Sequence, residues 1–103
     1  MSSESRPIRI EEFILALEDL TNENIESVLS QLRNSIGKLK ETNAYLAEEI
    51  KADSDPDSRS LYEETIAENK QVMESQEARV AAIQKELQRR GAQREQQEDG
   101  IYL

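Results

Sequence analysis

Residues 25–50 read IESVLSQLRNSIGKLKETNAYLAEEI and residues 62–87 read YEETIAENKQVMESQEARVAAIQKEL, and these two stretches decide the fold. In the first, Ile25, Leu29, Leu32, Ile36, Leu39, Asn43, Leu46 and Ile50 recur at alternating steps of four and three. In the second, Tyr62, Ile66, Asn69, Met73, Gln76, Val80, Ile83 and Leu87 do the same. That alternation places each set on one narrow helix stripe, the a/d seam of a coiled coil. Folding the chain back between the stretches pairs residues whose numbers sum to 112, from Ile50/Tyr62 to Ile25/Leu87. Every pair then joins an a position to a d position, as antiparallel helices require. Asn43 falls opposite Asn69. A buried amide costs stability without a partner, so a facing pair satisfies both groups and fixes the register. Two unrelated zipper helices would have no reason to match their Asn residues. The expected fold is all-α: a long antiparallel helical hairpin, or coiled coil, with a short N-terminal helix and flexible termini.

Around the seams the organisation is simple. Residues 1–8 are polar, carry Pro7, and read as a flexible arm. Residues 9–90 form a single helical domain with helices expected over about 9–20, 22–51 and 60–90, and residues 91–103 form a polar tail. Ile10, Phe13, Ile14 and Leu17 share one face of the first helix. Thr21 or Asn22 caps the second, roughly 45 Å long at 1.5 Å per residue. Gly37 sits in its middle at an outward b position and costs about 1 kcal/mol against Ala. Residues 53–60 are turn chemistry, Ser60 with Glu63 forms a capping box that opens the third helix, and Gly91 ends it.

Composition narrows the function. The chain has 103 residues, of which 34% are charged and 4% aromatic, a mix suited to exposed helices rather than a β fold. A formal charge of −9 disfavours nucleic acid and anionic membranes as partners, because phosphate binding needs clustered cations. There is no Cys, so no disulfide or thiolate chemistry, and no apolar run long enough for a membrane span. The expected compartment is the cytoplasm, with the nucleus open as a second. Without His or Cys, and without a Gly-rich phosphate loop, the chain is not expected to be an enzyme or to need a cofactor. Asp53, Asp55, Asp57 and Glu64 match positions 1, 3, 5 and 12 of a calcium loop. Ser58 where the turn needs Gly, together with the stiffness of Pro56, makes an acidic hairpin turn the better reading, so no metal site is expected.

The two flanks of the seam differ. The e positions carry Glu26, Arg33, Lys40, Ala47, Glu63, Lys70, Glu77 and Gln84, a charged side. The g positions carry Val28, Ser35, Thr42, Thr65 and Val72, with Tyr45, Leu61 and Ala82 at the adjoining c positions and the charges Glu49, Arg79 and Glu86 toward the ends. A two-helix stalk has no use of its own for such a face. The first helix can fold back over part of it, but a reach of about 16 Å leaves the rest open. The candidate partner-binding residues are therefore Val28, Ser35, Thr42, Tyr45, Leu61, Thr65 and Val72, with Phe13 and Leu17 of the first helix as a competing site.

Arg6-Pro7-Ile8-Arg9-Ile10-Glu11-Glu12-Phe13 resembles the opening of the fungal translation-machinery-associated proteins that serve as ATPase-dedicated chaperones of the proteasome. The likeness continues through Asn34-Ser35-Ile36, Asn43-Ala44-Tyr45-Leu46, Leu61-Tyr62, Glu68-Asn69 and Arg79-Val80. The resemblance implies a stress-linked assembly chaperone that binds the N-terminal helical region of a regulatory-particle ATPase, the sixth, and promotes its pairing in the base ring. The chain departs from that pattern in a shorter polar tail. The rival class is a homodimeric coiled-coil scaffold whose seams pair between chains, whereas the hairpin reading expects a monomer. Ile101-Tyr102-Leu103 resembles the C-terminal motif by which proteasomal ATPases dock on the core particle, which makes these three residues a second candidate contact.

Overall fold

The computed structural model describes residues 9–52 and 55–102, with side chains as far as Gly91. It is all-helical, with α1 at Ile10–Leu17, α2 at Asn22–Ala52 and α3 at Pro56–Tyr102. Contacts gather the chain into two units, the first made of residues 1–29 with 78–103 and the second of residues 30–77. The arm expected over residues 1–8 lies outside the described residues.

In the second unit the later part of α2 and the early part of α3 lie antiparallel, in the register that the sequence implies. Asn69 Nδ2 donates to Asn43 Oδ1 at 2.9 Å, and Asn43 Nδ2 donates to the Ile66 carbonyl at 3.4 Å. The Asn pair thus answers most of its own hydrogen-bonding need inside the seam. Two helices can cover one stripe each but cannot close a core. Ile36 is buried, while Leu39, Leu46, Ile50, Tyr62, Ile66 and Met73 remain half-buried. Gln76 lies in the same seam, where its Oε1 is buried without a hydrogen-bond partner.

In the first unit a third helix completes the packing. Leu17 of α1, Ile25 of α2 and Ile83 of α3 are fully buried. Each contributes about 1.5–3 kcal/mol by leaving water. Leu29, Val80 and Leu87 are half-buried around them. The fold therefore concentrates its dry interior where α1 is present.

Helix boundaries follow local chemistry. Thr21 caps α2, with the Asn24 amide donating to its Oγ1 at 3.1 Å. α1 stops at Leu17 and not at Leu20, because the amides of Glu18, Asp19 and Leu20 bond three residues back and tighten the chain into a turn. α3 starts at Pro56, ahead of the capping box expected at Ser60. Asp55 is its cap: the Ser58 hydroxyl donates to the Asp55 carboxylate at 3.0 Å and the Arg59 amide to the Asp55 carbonyl at 3.0 Å. Pro56 then occupies the first helical position, where its missing N–H costs nothing. α3 also runs past Gly91 to Tyr102, where a stop and a polar tail were expected. Ala, Gln, Glu and Arg dominate residues 92–98, and these good helix formers offset one glycine.

Candidate functional site

The heptad register assigns every flank residue a side, and the two sides of the second unit differ as the sequence implies. Arg33, Lys40, Ala47, Glu63, Lys70 and Glu77 at the e positions are all exposed. Lys40, Lys70, Met73, Glu74 and Glu77 line a shallow depression of about 230 Å³ on that side. Its rim is charged and mixed in sign, which suits a solvated surface.

The g side of the same unit is different. Ser35 and Thr65 are half-buried, and the Thr65 hydroxyl donates back to the Leu61 carbonyl at 3.0 Å. Thr42 is exposed. Tyr45, Leu61 and Val72 are 62%, 59% and 44% exposed, and they are the large apolar side chains that this unit presents to water. All three sit at g or adjoining c positions. Thr42, Tyr45, Leu61, Thr65 and Val72 thus share one side of the α2–α3 pair, with Glu49 as the carboxylate among the g positions there. Such an arrangement has the chemistry of a surface complementary to an apolar helix stripe.

The first unit places the remaining candidates elsewhere. Leu17 is only 2% exposed, so it belongs to the core and offers no surface to a partner, a correction to its place among the contact residues. Phe13 is half-buried, with the Arg79 guanidinium 5.5 Å from its ring centroid. Val28 is half-buried. Ile14, Leu17, Glu18, Ala82, Lys85, Glu86 and Arg89 line an open groove of about 350 Å³ between α1 and α3. α1 therefore lies on the g side of α3, the covering role anticipated for it. The side chains of Ile101 and Tyr102, and all of Leu103, lie outside what the structure describes.

Arg90 is a side chain whose part in the fold sequence reasoning missed. Its Nε meets Glu86 Oε2 at 2.7 Å, Nη1 donates to Asn22 Oδ1 at 2.7 Å, and Nη2 donates to the Leu17 carbonyl at 2.9 Å. Three donors of one planar fork thereby fasten the end of α1, the start of α2 and α3 together. Arg89 joins the same Glu86 carboxylate at 2.7 Å and 3.1 Å. The bonds from Arg89 and then Arg90 pull the Glu86 carboxyl down to about 2, against the weaker opposing effect of its burial. The signal was available: 22 and 90 also sum to 112, so Asn22/Arg90 is the next layer of the seam.

These features define a class, an all-helical protein built on antiparallel helix pairing with one open apolar flank. Among the described residues no helix is long and apolar enough to cross a membrane. The family model described as the TMA17 helical domain matches residues 9–94, and the chain belongs to that family. It is similar to Translation machinery-associated protein 17 of Saccharomyces cerevisiae, with 29% identity over 98 residues that cover 79% of this chain and 65% of the yeast protein. The chain thus spans somewhat under two thirds of the length of that curated relative. No solved structure matches it.

Proposed function

We propose that the chain is an assembly chaperone of the proteasomal regulatory-particle base, holding the N-terminal helical region of one ATPase, the sixth, until that subunit pairs with its neighbour. The observation that carries this reading is the shared exposure of Tyr45, Leu61 and Val72 on the g side of the second unit. A coiled-coil-forming segment without its partner exposes an apolar stripe, and a face of this kind shields such a stripe. The neighbouring subunit competes for the same stripe and displaces the chaperone. The family membership and the resemblance of the N-terminal residues support the same reading. The chain acts by binding, as a monomer, in the cytoplasm and the nucleus and under stress.

The test compares the two flanks. Thr42→Glu with Val72→Glu is expected to abolish binding to the purified ATPase helical segment with helicity unchanged, because both side chains are exposed. Lys40→Glu with Lys70→Glu on the e side is expected to change binding little. Equal loss from both flanks refutes the assignment. Light scattering separates this reading from a homodimeric scaffold, which would give twice the monomer mass.

A further inference from the structure

α1 is an eight-residue helix, too short to hold its own shape in water. Its own ends help little. Arg9 at the N-cap makes no side-chain cap bond, and the last turn has no basic residue to face the carbonyl end of the dipole. That service comes from α3, through the Arg90 bond to the Leu17 carbonyl. The apolar attachment is equally narrow. Leu17 is buried and Phe13 is half-buried by Arg79, but Ile14 is 45% and Leu15 66% exposed. The groove between Ile14 and Ala82 leaves the contact with α3 unfilled. Leu17, half-buried Ile10, the Phe13 ring beside Arg79 and the Arg90 bond therefore carry the attachment of α1.

We propose that α1 is a displaceable lid, and that the surface beneath it in the first unit is a seat for an amphipathic helix of the binding partner. α1 itself displays the chemistry that the seat recognises. An aromatic ring lies by Arg79, an aliphatic side chain follows one turn later at i+4, and a helix-terminal carbonyl meets Arg90. An acidic residue follows next, as Glu18 does, within the field of Arg89. The occupant is a partner helix with those four features, exchanged for α1. Only the identity of the partner, the ATPase segment, rests on the proposed function. The lid and its seat are properties of this chain.

Hydrogen exchange on the full chain tests the lid. Amides of residues 10–17 are expected to exchange through local opening, faster than those of residues 30–50. Arg90→Gln is expected to raise exchange in α1 by about tenfold or more, the effect of losing a charge-assisted bond, with residues 30–50 unchanged. Lys40→Gln, the same charge change at an exposed site in the second unit, is expected to leave α1 exchange unaltered. Exchange of α1 in step with α2, or equal effects of the two substitutions, overturns the lid. The seat is tested with a synthetic peptide of residues 9–20 added to full-length Leu17→Asp, whose own α1 cannot refill the site. Methyl shifts at Val28 and Ile83 are expected with this peptide and not with one carrying Phe13→Ala and Leu17→Ala; no shift with either overturns the seat. The ATPase segment is expected to accelerate α1 exchange in the wild-type chain. Binding without acceleration overturns the displacement while the proposed function stands. If the segment does not bind at all, that function fails, and the peptide alone decides the seat.

Discussion

Replacing Gln76 with Leu should stabilise this protein, although Gln76 lies inside a coiled-coil seam where polar residues are often kept for register. Its Oε1 is buried and has no hydrogen-bond partner, while Ile36, its partner by register, is one of the buried residues. An unsatisfied buried acceptor costs about 1–3 kcal/mol, and Leu removes that cost while adding apolar contact of roughly one methylene's worth. Gln76 is half-buried, so the lower half of the range applies, and the net gain is about 1–2 kcal/mol. For a domain of this size such a gain raises Tm by roughly 5–15 °C. Asn69→Leu is the matched control. It sits two layers away in the same seam, but its Nδ2 donates to Asn43 Oδ1 at 2.9 Å, so its removal strands a partner. That change should be neutral or cost about 1 kcal/mol. Urea and thermal denaturation followed by circular dichroism measure both. If Gln76→Leu lowers stability, or if the two substitutions shift it alike, the carbonyl of Gln76 is not an orphan and the account of the seam is wrong.

Other outcomes follow from single features. Gly37→Ala should stabilise by about 1 kcal/mol in denaturation experiments, since a Cβ there meets nothing within 4 Å and the backbone is already helical. Glu86 has a carboxyl pKa lowered in the folded state from 4.5 to about 2, so its contribution is complete above pH 4.5 and is lost as pH falls toward 2. The stability gap between wild type and Glu86→Gln, on the order of 1 kcal/mol for ion pairs at the protein surface, should therefore close over that window; a gap constant from pH 5 to 2 excludes the Arg89 and Arg90 bonds as its source. Asn43→Leu with Asn69→Leu should raise Tm while promoting oligomers detectable by light scattering, because the one polar layer that matches itself is gone.

The seam was legible because its signal is redundant. Sixteen positions obey one spacing rule, and the Asn43–Asn69 bond repeats that rule in a second chemical language. The termini were less legible because two start signals lie five residues apart. Asp55-Pro56 and the Ser60/Glu63 box both describe a helix start, and the upstream one adds backbone hydrogen bonds without cost. Gly91 was misjudged for a related reason: a glycine ends a helix when it takes a left-handed conformation, and no glycine among the described residues does so. The open flank could be read from the uncharged g positions, and Tyr45, Leu61 and Val72 are exposed there. α1 could not be read as well. Ile10, Phe13, Ile14, Leu15 and Leu17 cover more than half its circumference, so sequence alone does not say which of them faces inward. Arg90 was missed because a basic residue near a helix end usually faces water, although its register opposite Asn22 already placed it in the seam.

Most of the seam is half-buried, and among the described residues four apolar side chains, Leu17, Ile25, Ile36 and Ile83, are buried. Unfolding therefore exposes less apolar surface per residue than it does in a domain with a fully closed core. The heat-capacity change of unfolding scales with that surface, and so does the sensitivity to urea. A small heat-capacity change flattens the curve of stability against temperature. The protein should accordingly keep a modest stability across a wide thermal range, and melt gradually, where a compact domain of equal length would be firmer at its optimum and fail over fewer degrees.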